Sequence, residues 1–418
     1  MPDLLDWTSH QHQGILVGGA CTLIYLVSYF FFGQQPTRKI SGKAARAFQL
    51  RQAFDRIKKK QDVKPLIQDN VDSPEMLKVK QLWIYPIKSL RGCSVQQAML
   101  TNEGFYHDRR FMLLKKSDDT SETLENMHIA KFASMSLFHP SISGEKLLVS
   151  YRSPGTEEPT GEVLELDLHP NTKGLETVDV NMHRSPTTGY NMGSKANEWF
   201  SSRFGFDVVL AFWGDNPRLA LGNIPGKPYG YSPKPKSSLS QAISQIPLVG
   251  SLMQDEENDK IAFNDCAPYL VINQSSVDEV SSRLSEDTSM DLTKFRSNIV
   301  LSSPSLREWE EDYWASIEFP TLDARIILTG NCGRCASLNV DYNMGQPGKG
   351  KEGEILKLMQ KDRRVDEGMK YSPIFGRYGF VSKGGEGKVV KVGDVCRIGE
   401  RNESGTTFYW PGLSTGTR

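Results

Sequence analysis

"ARIILTGNCGRCASLNVDYN", residues 324 to 343, sets two cysteines three positions apart at the end of an apolar run with strand character. Whether Cys332-x-x-Cys335 opens a helix or closes a strand decides what kind of protein this is. A dithiol oxidoreductase places such a pair at a helix start, where the dipole lowers the thiol pKa. Here the pair follows "ARIILTG", and "ASLNVDYN" reads as a further strand or turn. A zinc site needs four ligands, usually from a second CxxC or from histidines at metal spacing. Neither occurs: of the seven histidines, His10 and His12 lie near the N-terminus, and His107, His128, His139, His169 and His183 are single and far in sequence from Cys332. A redox dithiol and a zinc half-site are thus the weaker readings beside a pair of buried structural cysteines and one thiolate ligand with a bystander. In the last, Arg334 next to Cys335 favours the anionic thiolate, and a thiolate selects soft or high-valent redox metals over hard cations. One cysteine cannot hold a metal alone, so an organic cofactor would have to supply most of the ligands.

The strand texture extends outward from the pair. "KVKQLWIYPI", "RFMLLKK", "LLVSYR", "VLELDL" and "DVVLAFW" precede it, and "YLVIN", "NIVLS", "WASIEF" and "KVVKV" surround it, each bounded by turn residues. Few helices interrupt. Residues 194 to 204 carry Ala196, Trp199, Phe200 and Phe204 on one helical face, Ser276-x-x-Glu279 reads as a capping box opening a second helix, and residues 354 to 361 form a third amphipathic stretch. Residues 216–260, rich in proline and glycine, read as a long surface insertion. The sum is an α+β protein, mostly β, with two barrel-like domains at 78–215 and 261–400 and a C-terminal tail at 401–418.

The 418 residues balance 50 Lys and Arg against 50 Asp and Glu, so no global charge recruits nucleic acid, and none is expected as a partner. Six scattered cysteines are too few for a disulfide framework and favour a reducing compartment. Beyond a short tail, residues 1–13, the stretch 14–33 ("GILVGGACTLIYLVSYFFFG") contains no charge. Its 20 residues are long enough to span a hydrocarbon core of about 30 Å as a transmembrane helix in contact with lipid. A signal peptide would carry its basic residues ahead of the apolar run, whereas here Asp3 and Asp6 stand there. The following 34–77 reads as a basic juxtamembrane helix and linker; up to residue 60 it holds nine Lys and Arg against Asp55 alone. The positive-inside rule keeps that flank, and the folded part with it, in the cytosol.

Six blocks occur in a telling order: "KVKQLWIYPIKSLRG" (78–92), "DRRFML" (108–113), "FNDCAPYLVIN" (263–273), "FRSNIV" (295–300), "GRCASLNVDYNMG" (333–345) and "SPIFGRYGF" (372–380). They resemble MOSC-domain proteins, and among these the amidoxime-reducing components of mitochondria, which are molybdenum cofactor enzymes. The likeness covers residues 78–400. It implies a molybdenum held by the dithiolene of a pyranopterin (Mo-molybdopterin), with one protein cysteine as ligand. By position Cys335 matches that catalytic, metal-binding cysteine, and Cys332 is the bystander. Lys88 and Ser89 of "YPIKS", Arg109 of "DRRF", Arg296 and Asn298 of "FRSN", Arg334, and Tyr378 of "GRYGF" match positions that hold the cofactor. Arginine and lysine suit its phosphate through charge-assisted hydrogen bonds.

Cys266 and Ala267 stand where relatives often carry a Thr-Ser pair, and Gly333 replaces a common serine, so backbone amides would make those cofactor contacts here. Asp341 matches a supporting turn. The resemblance further implies reduction of N-hydroxylated compounds such as amidoximes and hydroxylamines, at the mitochondrial outer membrane or, alternatively, the endoplasmic reticulum. No bound nicotinamide or flavin is expected; electrons would come from cytochrome b5 and NADH-cytochrome b5 reductase. The alternative is a MOSC-type sulfur carrier like the molybdenum cofactor sulfurases. That arrangement normally brings a pyridoxal-phosphate domain of several hundred residues, and only 77 residues precede the likeness here.

Overall fold

The computed structural model of the protein describes residues 76–117, 123–231, 260–286 and 288–417. The tail 1–13, the anchor 14–33, nearly all of 34–77 and the stretch 232–259 of the insertion lie outside the described residues. Among the described residues no helix is long and apolar enough to cross a membrane.

Twelve strands position the site: β1 (Met76–Ile84), β2 (Phe111–Lys116), β3 (Leu124–Asn126), β4 (Thr177–Met182), β5 (Ser185–Asn191), β6 (Val208–Phe212), β7 (Tyr269–Asn273), β8 (Ile299–Ser302), β9 (Trp314–Phe319), β10 (Ala324–Gly333), β11 (Ile374–Val381) and β12 (Val395–Arg401). In β1 the buried side chains alternate as Leu77 and Val79, then change phase to Leu82 and Ile84. A register irregularity between Val79 and Gln81, where β1 pairs with β8, accounts for the change. One extra residue reverses which side of a strand faces the core. The bend helps β1 close a ring in the order β8-β7-β11-β10-β9-β12-β1, with β1 returning to β8. All neighbours are antiparallel except β7 and β8. Trp314, Ile317, Ile326 and Tyr269 fill this closed barrel.

The second sheet runs β4-β5-β6-β2-β3. Asn126 Nδ2 on β3 donates to the carbonyl of Asn181 on β4 at 2.8 Å, which nearly closes it. All five residues of β6 are buried, because Val208, Leu210 and Phe212 serve one apolar layer while Val209 and Ala211 serve another. Only three α-helices occur among the described residues: α1 (Ser194–Phe204), α2 (Gln274–Ser282) and α3 (Ile355–Gln360). The fold is therefore mostly β, one closed barrel beside one nearly closed.

Helix α2 corrects the capping-box reading. Its N-cap is Asn273, whose side chain accepts from Ser275 N at 3.0 Å, so Ser276 lies inside the helix. The Ser276 hydroxyl instead donates to Glu311 Oε2 at 2.7 Å and accepts from Trp309 N at 2.8 Å. Glu311 is fully buried, and burial, with Asp312 beside it, pushes its carboxyl up to about 7. The folded protein holds this proton more tightly than the unfolded chain, so the group's contribution is complete at low pH and is lost as pH rises through 7. Glu311→Gln is expected to flatten the fall in urea midpoint between pH 5 and 8, by on the order of 2–3 kcal/mol. An unchanged pH slope in that variant would refute the assignment.

Two segments read as peripheral are packed inside. In the described part of the insertion, Arg218 and Ala220 are fully buried and Leu221 and Ile224 nearly so; in the supposed tail, Phe408 and Trp410 are buried. Ala220, Leu221, Ile224, Phe408 and Trp410 share one apolar cluster with Ala267 and Phe380. Proline and glycine mark irregular backbone, which can be buried wherever its polar groups find partners. Asn223 does this by donating Nδ2 to Thr407 O at 3.0 Å and accepting from Tyr409 N at 2.7 Å.

Candidate functional site

Strand β10 ends at the cysteine pair. Cys332 and Gly333 still belong to the strand, Arg334 N donates to Pro373 O at 2.8 Å, and a 3-10 turn, Ala336–Asn339, begins directly after Cys335. No α-helix starts at the pair. Successive side chains of extended chain point to opposite sides, so Arg334 shares a side with Cys332. Its Nη1 donates to Cys332 Sγ at 3.0 Å and its Nη2 to Phe295 O at 2.9 Å. This corrects the expectation that Arg334 chiefly activates Cys335. The Cys335 thiol is exposed, alone among the described cysteines, with Sγ 3.2 Å from Ser337 Oγ.

Cys335 opens onto a cavity of about 440 Å³. Lys88, Ser89, Arg109, Cys266, Ala267, Arg296, Asn298, Gly333, Arg334 and Tyr378 all line the same cavity. Asp341 does not: its Oδ1 accepts from Asn343 N at 2.9 Å and Met344 N at 3.0 Å, which shapes a neighbouring turn. Among the described residues no group of three or more His, Cys, Asp and Glu side chains could hold a metal ion.

The wall is basic and conformationally strained. Ser89, Arg109 and Arg296 adopt left-handed φ values of 67°, 48° and 58°, which non-glycine residues hold only where the surroundings over-determine them. For Arg109 the surroundings are a bond from its N–H to Tyr85 O at 2.7 Å and one from Nη1 to Asp108 Oδ2 at 2.5 Å. Tyr85 lies fully buried with the guanidinium of Arg109 at 4.4 Å from its ring and that of Arg296 at 4.6 Å. Burial, against the pull of both cations, pushes its phenol above the ordinary value.

Two donors in this wall are buried without partners, Arg296 Nη2 and Arg334 Nε. Such groups cost about 1–3 kcal/mol each when left unpaired. Burial also works against the charge of Arg334, but the sulfurs of Cys332 and Cys335 outweigh it and raise its pKa. Lys88 is paired with Asp265, and burial lowers its ammonium against that pairing. Other wall residues are spent on the scaffold. Asn298 donates Nδ2 to Trp83 O at 3.2 Å and accepts from Leu270 N at 3.2 Å, tying β1 to β7. The Cys266 thiol is pushed up by burial and stays protonated.

Gly333 has a local reason. A Cβ there would run into Met369 Sδ and lie 2.7 Å from its Cε. Gly333→Ser is expected to destabilise by at most about 1 kcal/mol, the low end of overpacking, because the clashing atoms are the movable end of the half-buried Met369, with Met369→Ala relieving most of it in the double variant. Additive losses in thermal unfolding would show that the contact is not the cause.

Residues 76–207 match the MOSC N-terminal beta barrel domain, and residues 258–397 match the MOSC domain. The chain belongs to the MOSC-domain family. It is 26% identical over 324 residues to mitochondrial amidoxime reducing component 2 of Bos taurus, covering 76% of this chain and 81% of that one. It is 23% identical over 321 residues to mitochondrial amidoxime-reducing component 1 of Homo sapiens, with 76% and 81% covered. Molybdenum cofactor sulfurase of Solanum lycopersicum is 26% identical over 276 residues, 63% of this chain and 29% of that protein.

In this MOSC protein the cavity lies between the two matched segments. The first contributes Lys88, Ser89, Arg109, His128 and His183, and the second Cys266, Arg296, Arg334, Cys335 and Tyr378. Phe408 and Leu413, outside both matches, help close it. Sequence reasoning missed Asp265, which sat legibly inside "FNDCAP", and the Phe408 and Trp410 aromatics. It also missed His183 and the run Asn126–Ala130, for which no local signal exists. The run "GKGKEG" (348–353) carries the letters of a dinucleotide fingerprint. Its structure is different: a two-residue strand precedes it, a 3-10 turn over Gly350–Glu354 follows, and Gly348 and Gly353 pack against each other.

Proposed function

We propose that the chain is a membrane-anchored, molybdenum-dependent reductase that removes oxygen from N-hydroxylated compounds such as amidoximes and hydroxylamines. The observation that carries this reading is the cavity itself, with one exposed thiol, Cys335, beside a basic wall holding the unpartnered donors Arg296 Nη2 and Arg334 Nε. That donor set fits the phosphate and polar edge of a molybdenum pyranopterin, and the single accessible thiol fits a cofactor that brings most metal ligands itself. When bound, such a group supplies two-electron oxygen-atom acceptance. The protein's part is to hold it through Lys88, Arg109, Arg296 and Arg334, to offer the Cys335 sulfur, and to exclude bulk water with Met369, Phe408 and Leu413. Electrons would come from cytochrome b5 and NADH-cytochrome b5 reductase. Residues 14–33 would anchor the protein in the mitochondrial outer membrane with the catalytic part facing the cytosol.

The sulfurase match supports a second reading, a MOSC-type sulfur carrier. The coverage weighs against it, since the alignment spans 81% of the bovine amidoxime reducing component and 29% of the sulfurase. The deciding experiment measures molybdenum and pterin content, with benzamidoxime reduction driven by a chemically reduced donor. Bound cofactor without reduction, together with persulfide on a cysteine, would favour the carrier.

Arg296 is the sharpest test of the basic wall. Its Nη1 is engaged with Leu90 O at 2.8 Å, while Nη2 is buried without a hydrogen-bond partner. Arg296→Ala is expected to lower cofactor occupancy about 10-fold or more when cofactor is limiting, given roughly 1.5–3 kcal/mol for a charge-assisted bond. Pterin fluorescence after release measures this; unchanged occupancy would remove Arg296 from the site.

A further inference from the structure

His183 sits at the tip of the β4–β5 hairpin, reaches the cavity wall, and takes no part in the reading above. Its backbone is left-handed, φ 51°, and that of Arg184 beside it also, φ 64°. The tip is held from three sides. Arg218 Nη1 donates to Met182 O at 3.0 Å, Trp410 Nε1 donates to His183 O at 2.7 Å, and Gly412 packs against the Arg184 guanidinium. The Trp410 ring also meets the imidazole edge-on, with centroids 6.5 Å apart. Positive φ at both positions is what a two-residue hairpin loop requires; what singles this tip out is that buried groups from two distant segments, Arg218 and Trp410, fix it against the cavity. His183 Nε2 lies 3.6 Å from Asp265 Oδ1, and Asp265 is in turn paired with Lys88. The charged groups at this tip are Asp265, Lys88 paired with it, Arg184 next in sequence, and Arg218, which holds Met182 O.

From this placement we propose that His183 is the proton donor to the departing oxygen of the substrate, an inference that rests on the reductase reading. The overall reaction, R–NH–OH plus two protons and two electrons giving R–NH2 and water, breaks the N–O bond and reduces the nitrogen. The two electrons come from the reduced donor protein or from dithionite by way of the bound cofactor. One proton passes from the His183 side chain to the oxygen, which leaves as water, and the second, taken from solvent, goes to the nitrogen. The side chain is 36% exposed, so water can return the proton to the ring between turnovers. Positioned general acids typically contribute about 10²–10⁴-fold.

Two variants test it in the full-length protein loaded with cofactor. His183→Asn tolerates the left-handed backbone and cannot donate in this way; His183→Gly also tolerates it and leaves room for a small molecule. Both should keep wild-type molybdenum and pterin content and a melting temperature within a few degrees. Benzamidoxime reduction with dithionite should fall about 10²-fold or more. Free imidazole should restore the glycine variant in a saturable manner. Activity within a few-fold of wild type would overturn the inference. Cofactor loss in proportion to activity would also overturn it, because the ring would then hold the cofactor. A loss in the glycine variant that imidazole leaves untouched counts against it equally. A wild type that holds molybdenum and reduces no N-hydroxylated compound would overturn the reductase reading, and this inference with it.

Discussion

Cys335→Ser is expected to reduce amidoxime turnover to below about one hundredth of wild type while leaving most of the pterin bound. Loss of even an outer partner of a metal ligand commonly costs about 10–100-fold, and here the ligand itself would change from a soft, ionisable thiol to a hydroxyl that stays protonated. Retention follows from the basic wall: Lys88, Arg109, Arg296 and Arg334 grip other parts of the cofactor. Cys332→Ser should behave differently. The serine oxygen can accept the Arg334 Nη1 bond that the sulfur now accepts at 3.0 Å, so turnover should stay within a few-fold. Cys332→Val deletes the acceptor and should destabilise by about 1–3 kcal/mol, leaving a buried donor unpaired. A dithiol would need both sulfurs, so equal loss of activity in the two serine variants would end the single-ligand reading. Reduction with dithionite, alongside metal and pterin content, separates these outcomes.

That pair of cysteines also shows where sequence reasoning reaches and where it stops. The strand ending at Cys332 was legible because "ARIILTG" is apolar, β-branched and bounded by turn residues. The direction of Arg334 was legible in principle, since alternation along extended chain puts it with Cys332, but adjacency to Cys335 was given more weight. The helix at 194–204 was readable from one apolar face and ends at Gly205 with φ 79°. Helix α2 starts earlier than its capping box because Asn273 caps it and Ser276 is drawn to the buried Glu311, a residue 35 positions away. The same limit applies to His183, Asp265 and Phe408. Their place in one cavity depends on hairpin, loop and C-terminal segment meeting in three dimensions, and no periodicity of 2 or 3.6 encodes that meeting. Proline and glycine in residues 216–231 reported irregular backbone correctly, and exposure correctly at 226–230 but not at 218–224, where Asn223 joins the segment to Thr407 and Tyr409.

Arg218→Met is the change with the largest expected cost in stability, about 3–5 kcal/mol, because several buried carbonyls lose a charged donor whose bonds are worth roughly 1.5–3 kcal/mol each. The guanidinium is fully buried, and burial pushes its pKa down to about 10, so it remains charged near neutral pH. Its fork donates to Met182 O at 3.0 Å, to Asp265 O at 2.9 Å and to Asn264 O, with a longer contact to Ala262 O at 3.4 Å. One side chain thus ties the hairpin that presents His183 to the loop that carries Asp265, Cys266 and Ala267. Methionine would fill the volume but leave those carbonyls buried without donors, each costing about 1–3 kcal/mol. Part of that is offset because a buried cation is no longer desolvated. Arg218→Lys keeps the charge and loses the planar fork, so it separates the two contributions. If geometry is the cause, lysine should recover little of the stability in urea unfolding and little of the cofactor content, since both walls of the cavity would shift. Near-complete recovery by lysine would mean that charge near Asp265 matters and the carbonyl staple does not.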